Sequence, residues 1–304
     1  MSFPTVTIAI PNFQGSQFLS HTLESLARNR PHVRWRLQDA GSSDDSVSTA
    51  RRWAGPHDVV ASEADQGQAD GINRAFAGMG GDIIGFLNSD DELADGAAQT
   101  VSQFFATHPE IDLIYGEVEW IDQRGVTNGR HAGRIESVAD ILDIYTVWWG
   151  GRQWVQPEVF FRRSLWERVG PFDTRYNLAF DYDYWVRCFL AGARVARVPR
   201  VLARFRLHAA QKSRAARQAA TEIRAIVECH LANAPIPTAL ARRLRAQIDY
   251  ERYHLGEGVY ANDKPSFLRY LVTHPRSLAL AAIQQRLYRS LQGRTRSLFF
   301  PSAA

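Results

Sequence analysis

Asp90 and Asp91 close a short apolar run, Ile83-Ile84-Gly85-Phe86-Leu87, and stand beside Asn88 and Ser89 in a cluster of oxygen donors. Hard oxygen ligands of this kind suit a divalent cation carrying phosphates. They suit equally well an Asp-rich turn that caps the helix beginning near Asp95. Other apolar runs also end on polar residues, at Asn12, Asp39 and Asp65. A carboxylate so placed can hydrogen-bond a nucleobase imide or ribose hydroxyls, whereas a diphosphate needs a cation. Further along, Phe180-Asp181-Tyr182-Asp183-Tyr184-Trp185 opens a helix. At about 100 degrees per residue Asp181 shares a face with Trp185 and Cys188, and Asp183 lies about 200 degrees away, so only one of the two can face a crevice. Both also complement the helix dipole. Tyr145, Trp148, Trp149 and Trp154 cluster around Gly150-Gly151, as a sugar-stacking surface or as a satellite core.

The elements that must position these groups follow from periodicity. Val6, Ile8 and Ile10 alternate and break at Pro11-Asn12, after which Phe18, Leu19, Thr22, Leu23 and Leu26 recur at helical spacing. A second strand over 33–38 ends in the Gly/Ser/Asp turn 39–46 and leads into a helix through Trp53. A third strand at 59–61, a helix over 68–77, the run 83–87 and a helix-strand pair over 97–115 continue the alternation. That order predicts a mostly parallel sheet in a Rossmann-like layered domain, with ligands at the C-terminal ends of its strands. After Tyr115 the pattern becomes a hairpin, 117–122 with 126–131. Strands are expected at 158–161, 194–201 and 202–208, with a loop over 141–156 and helix from 209 onward. The turn Pro11-Asn12-Phe13-Gln14-Gly15 carries neither a dinucleotide fingerprint nor a phosphate loop, which disfavours NAD enzymes and P-loop ATPases.

The composition, 45% hydrophobic and 22% charged over 304 residues, is that of globular protein. Cys188 and Cys229 lack metal-ligand spacing and read as buried thiols of a reducing cytoplasm. No signal pattern and no run of about 20 apolar residues is present. From Lys264 onward there are seven basic residues and no acid, which leaves 29 basic against 32 acidic residues before that point. Without a nucleic-acid motif in the body, such a tail points to an anionic membrane surface and to no nucleic acid. Leu280, Ile283, Leu287 and Leu291 form a stripe with Arg286 and Arg289 off its line, a basic amphipathic helix that either docks on membrane or packs on the body.

Six motifs occur in order: Thr7-Ile8-Ala9-Ile10-Pro11-Asn12-Phe13, Asp39-Ala40-Gly41-Ser42-Ser43-Asp44-Asp45-Ser46, Asp65-Gln66-Gly67 with Asp70-Gly71-Ile72-Asn73, the stretch 81–91, Asp181-Tyr182-Asp183-Tyr184-Trp185, and Arg206-Leu207-His208. In these the chain resembles the family 2 glycosyltransferases of the GT-A fold, over its first two-thirds. The resemblance implies an α/β catalytic domain at 1–213 and a helical basic extension at 214–304. It implies inverting transfer from a nucleotide-diphosphate sugar, UDP- or dTDP-linked, to a hydroxyl of a glycan or lipid-linked acceptor. Asp39 would bind the base beside Pro11, Asn12 and Phe13, with Asp65, Asp70, Asn73 and Ser89 also on the donor. Asp90 would meet a Mg²⁺ or Mn²⁺ ion, with Asp91 as second ligand and His208 joining them, and Arg206 and Lys212 would lie near the diphosphate. Asp181 would be the catalytic base, with Trp148, Trp149 and Trp154 toward the acceptor. Asn88 stands where the first Asp of Asp-x-Asp often stands, and Phe180 where many members carry an acid. Those departures motivate the alternative of a nucleotide-sugar-binding scaffold without turnover; a nucleotidyltransferase is disfavoured by the missing phosphate loop. The expected location is the cytoplasm, peripheral on the inner face of the membrane.

Overall fold

All seven residues of strand β1 (Val6–Asn12) are buried, as befits a strand covered on both faces of a sheet. β1 pairs in parallel with β2 (Val33–Asp39) on one side and with the Ile83–Phe86 strand on the other. In register, Asn12 lies opposite Asp39 and Ala9 opposite Phe86, so the polar residues that follow these strands collect along one edge. Helix α1 (Ser16–Arg28) leaves that edge and buries Phe18, Leu19, Leu23 and Leu26, the stripe its spacing predicts. Helices α2 (Ser46–Trp53) and α3 (Gln68–Ala77) flank β3 (Val59–Ser62), which pairs in parallel with β2.

The chain then gives β4 (Ile83–Phe86), β5 (Glu92–Leu93), α4 (Ala97–Thr107), β6 (Leu113–Ile121) and β7 (Thr127–His131). After α5 (Val138–Leu142) come β8 (Val159–Arg162), α6 (Arg163–Val169), α7 (Phe180–Leu190) and β9 (Val195–Arg206). The strands form a nine-stranded sheet in the order β3-β2-β1-β4-β8-β6-β9-β5, with β7 paired to β6. β8 runs antiparallel to both its neighbours, and β6 and β9 are parallel to each other. This computed structural model describes residues 3–212, 215–280 and 283–284.

Several elements differ from expectation. The two strands predicted at 194–201 and 202–208 are one long β9, whose pairing with β6 shifts register around Glu117. The segment predicted as a loop over 141–156 is mostly helical, a wide π-type turn at Ile144–Arg152 started by Asp143, whose carboxylate accepts from Thr146 N. Helix α6 was not anticipated; the Arg163 guanidinium anchors it by donating to the carbonyls of Gly81 and Phe76 at 2.8 and 3.0 Å.

Two compact units are present, Met1–Val227 and Glu228–Ala304. The division falls inside α8 (Ala216–Asn233), later than the boundary expected at 213. The second unit contains α9 (Thr238–Leu255) and α10 (Phe267–Thr273) around a tyrosine-rich core of Tyr250, Tyr253, Tyr260, Tyr270, Leu271, Leu280 and Ile283. Leu280 and Ile283 of the predicted stripe thus face inward, while Leu287, Leu291, Arg286 and Arg289 lie outside the described residues. Cys188 is buried as expected; Cys229 is exposed, because α8 turns Ile226 and Val227 inward and Cys229 away.

Candidate active site

A cleft of about 850 Å³ opens along the C-terminal edge of the parallel strands, a size suited to a ligand with several rings. Pro11, Asn12, Phe13 and Ala40 line it from β1 and β2, Asp65 and Gln68 from the entry to α3, and Asn88, Ser89 and Asp90 from the end of β4. Asp181, His208 and Lys212 close it from the later part of the chain. The Phe13 ring is 65% exposed, a flat apolar face at the rim. Gly15 sits at a close approach: a Cβ there would run into Asn12 Oδ1 and come within 2.7 Å of Ser89 Oγ, so a larger residue would push both side chains aside.

Asp39 does not line the cleft. Its carboxylate is fully buried and accepts from Asn12 Nδ2 at 2.7 Å, from the amides of Gly41 and Ser42 at 3.1 and 2.9 Å, and from the hydroxyls of Ser62 and Ser42. Burial pushes this carboxyl up, but the bonds from Ser42, Ser62 and Asn12 outweigh it and hold the group below its ordinary range. Asp39 is therefore the organiser of its turn, and Asn12 is the side chain it presents. Asp65 does line the cleft; burial raises its pKa, and its Oδ1 accepts from Gly67 N at 2.9 Å. Asp70 and Asn73 are not among the lining residues. Asp70 pairs with Arg74 at 2.8 Å on the next turn of α3, and Asn73 exchanges hydrogen bonds with the Phe172 backbone at 2.9 and 2.8 Å.

At the end of β4 the two aspartates part. The Asp90 carboxylate points into the cleft, where Oδ2 lies 2.8 Å from His208 Nε2. The His208 ring is braced by Phe18, centroid to centroid 4.9 Å, and its backbone N–H donates to Gln211 Oε1 at 2.8 Å. Asp91, expected as a second ligand, is turned into the interior instead. Its Oδ1 accepts from Arg206 N at 2.9 Å, and burial, followed by the charge of Asp90, pushes it well above the carboxylate range. Arg206 likewise departs from expectation. Its guanidinium is buried, ion-paired with Glu92, and donates to the carbonyls of Asp90 and Asp122 at 2.9 and 3.0 Å. It holds the Asp90 backbone in place and does not reach the cleft lining.

Asp181, which also lines the cleft, sits in the first turn of α7, with Oδ1 accepting from Tyr182 N at 2.8 Å. Burial raises it from 3.8 to about 6. The loop ahead of α7 is pinned by Glu222, whose Oε2 accepts from the amides of Leu178 and Ala179 at 2.7 and 3.0 Å. Of the three tryptophans, Trp154 lines the cleft, packed on Tyr115 at 4.7 Å; Trp148 packs edge-on against Tyr182 at 4.6 Å, and Trp149 against Tyr145 at 5.3 Å, both away from the lining. Sequence reasoning missed Gln68, Gln156 and Glu222. Neutral amides have no periodic signature, and a glutamate on a polar helix face looks like any solvated one.

Among the described residues no group of three or more His, Cys, Asp or Glu side chains is placed to hold a metal ion by itself. The Asp90–His208 pair is one hard oxygen and one imidazole nitrogen, a donor set that fits a divalent cation whose other positions are filled by phosphate oxygens.

Residues 7–174 match the family described as Glycosyl transferase family 2. A PGL/p-HBAD biosynthesis glycosyltransferase of Mycobacterium bovis is 30% identical over 208 residues, covering 66% of this chain and 76% of that relative. Among solved structures, S. aureus TarS 1-349 in complex with UDP-GlcNAc aligns with a TM-score of 0.66 at 14% identity, covering 96% of this chain and 93% of that one. A mannosyltransferase from Pyrobaculum calidifontis in complex with GDP-Man and Mn²⁺ aligns with a TM-score of 0.60 at 17% identity, covering 96% and 85%. These likenesses show the GT-A fold, with its curled, mostly parallel sheet followed by helices. The family match spans more than half of the chain, and on it the protein belongs to glycosyl transferase family 2.

Proposed function

We propose that the protein transfers a sugar from a nucleoside diphosphate donor to an acceptor hydroxyl with inversion at the anomeric carbon. The observation that carries this reading is that Asp181 and the hydrogen-bonded Asp90–His208 pair line one and the same cleft. Inversion is a single in-line displacement, which needs a base behind the attacking hydroxyl and charge stabilisation at the departing oxygen. Asp181, with its pKa near 6, is ionised at neutral pH yet basic enough to take the hydroxyl proton as attack proceeds. Asp90 and His208 are the residues that would hold the divalent cation. Bound there, it would neutralise the charge that develops on the diphosphate. Lys212 adds a positive charge at the same edge.

The nucleobase is assigned to Pro11, Asn12, Phe13 and Ala40, where Phe13 offers a stacking face and Asp39 fixes the Asn12 carboxamide. A uridine or thymidine diphosphate sugar is the proposed donor, and a glycan or lipid-linked saccharide the proposed acceptor. The test is a panel of UDP-, dTDP- and GDP-sugars with Mn²⁺, Mg²⁺ or chelator, followed by assignment of the product's anomeric configuration. Transfer with inversion that chelator abolishes is expected. Retention of configuration, or no turnover of any donor, counts against the reading.

The acceptor's lipid would place the enzyme at a membrane surface. No helix among the described residues is long and apolar enough to cross a membrane. On α10, Leu268 and Val272 are each 73% exposed one turn apart, next to exposed Arg269, while Tyr270 and Leu271 face the core. Apolar side chains flanked by cations, in a segment without acids, fit an anionic bilayer.

A further inference from the structure

Four side chains from separate parts of the fold form one continuous hydrogen-bonded series across the cleft. Lys212 Nζ donates to Gln68 Oε1 at 3.2 Å, and Gln68 Nε2 donates to Asn88 Oδ1 at 2.7 Å. Asn88 Nδ2 donates to Gln156 Oε1 at 3.2 Å, and Gln156 Nε2 ends the series on the Phe86 carbonyl. All five residues line the cleft. The direction of the series is imposed at both ends, because an ammonium can only donate and a carbonyl can only accept. Each carboxamide in between therefore has its oxygen toward Lys212 and its nitrogen toward Phe86.

Asn88 is the residue on which the series turns. Its second N–H reaches Asp91 Oδ2 at 3.3 Å, so both of its donors face acceptors. A carboxylate at this position would set oxygen against Gln156 Oε1. The asparagine thus serves as a donor to Gln156, and its presence in place of an aspartate is not merely a weakened metal ligand. Gln68 and Gln156 each retain one N–H and one carbonyl lone pair after these bonds. A sugar hydroxyl donates and accepts at once, and a strip of carboxamides with fixed orientation matches a row of such hydroxyls.

We propose that Gln68, Asn88 and Gln156 form a strip that reads the hydroxyls of the donor sugar, with Gln68 and Gln156 making the contacts and Asn88 setting their orientation. This deepens the reading of the cleft as a nucleotide-sugar site and rests on it.

The experiment compares calorimetric binding of UDP, UDP-GlcNAc, dTDP, dTDP-glucose, GDP and GDP-Man, with Mn²⁺, to the full-length wild type and to Asn88→Asp, Gln156→Glu and Gln68→Glu. If the wild type binds none of the six, the nucleotide-sugar reading fails and the strip with it. Where the wild type binds a matched pair, each folded variant is expected to lose about tenfold in affinity for the sugar nucleotide, with the bare nucleotide changed less than about twofold. Equal losses for both members of the pair would assign these residues to the nucleotide or to general structure and overturn the strip while leaving the nucleotide site standing. Tighter binding of Mn²⁺-UDP by Asn88→Asp would also overturn it, by showing position 88 to be a metal ligand. Thermal melting checks folding. Should Asn88→Asp fail to fold, the two glutamine variants decide the matter, since neither adds a charge beside Asp91.

Discussion

Arg187 Nε donates to Asp183 Oδ2 at 2.8 Å, an i,i+4 pair on α7 that keeps Asp183 off the cleft that Asp181 lines. The Arg187 guanidinium also donates to the carbonyls of Val169 and Pro171 at 3.1 and 2.8 Å. The two acids therefore have separable roles. Asp181→Asn is expected to lower the transfer rate by about 10² to 10⁴ with donor binding retained. Asp183→Asn is expected to keep the rate within a few fold and to cost about 2 kcal/mol of stability, since it weakens a charge-assisted bond in a buried setting. Single-turnover kinetics and denaturant melts of both variants measure the two effects.

The raised Asp181 pKa has consequences of opposite sign for rate and stability. The rate should climb through about pH 6 and level off above it, a limb that Asp181→Asn abolishes. For stability, the folded state holds the proton more tightly than the unfolded chain, whose carboxyl titrates near 3.8. The cost of burying the ionised group is absent below that value, grows as pH rises, and is complete above about 6. At pH 8 Asp181→Asn is expected to be more stable than wild type by about 3 kcal/mol, with the gain gone at pH 3.5. Melts at the two pH values check it.

Glu222 acts on Asp181 through the loop it pins. Glu222→Ala frees the amides of Leu178 and Ala179 and is expected to lower kcat by about tenfold or more with little change in donor KM, because it loosens the base and not the donor seat. Glu222→Gln keeps an accepting oxygen and should restore most of kcat. The Glu222 charge also helps to raise Asp181, so in the glutamine variant the pH limb should move to lower pH. A kcat that survives Glu222→Ala intact would remove Glu222 from the site.

The exposed pair on α10 predicts that the full-length protein sediments with vesicles containing anionic phosphatidylglycerol and not with phosphatidylcholine alone. Leu268→Asp with Val272→Asp should release it while leaving transfer to a soluble acceptor unchanged. Equal sedimentation of the double variant would show that α10 is not the docking face.

Much of the frame is legible in the residues because burial writes itself into periodicity. The alternating strand at β1, the unbroken apolar run at β4, and the Phe18, Leu19, Leu23, Leu26 stripe appear where expected. Asn12, Asp65, Ser89, Asp90, Asp181 and His208 meet in one cleft as their order along the chain implies. The resemblance implies ligand contacts for Asp39, Asp91 and Arg206, yet none of the three lines the cleft. Their partners make the difference: Ser62 for Asp39, the Arg206 amide for Asp91, and Glu92, 114 positions away, for the Arg206 side chain. Such long-range pairings leave no local mark. The helical segment after α5 was missed for a related reason, since a π-type turn rich in aromatic and β-branched residues lacks the 3.6-residue repeat.

The bond between Asp90 and His208 joins residues 118 positions apart. Closing so long a loop is entropically costly until the intervening strands have paired. During synthesis, the residues of β1, β2 and β4 leave the ribosome long before His208 does. A chain stopped between Asp181 and Arg206 should therefore lack both His208 at the phosphate end and Glu222, which pins the loop ahead of Asp181. If nucleotide sugar is the ligand, as proposed, it should protect the finished protein from proteolysis more than it speeds the appearance of that protein.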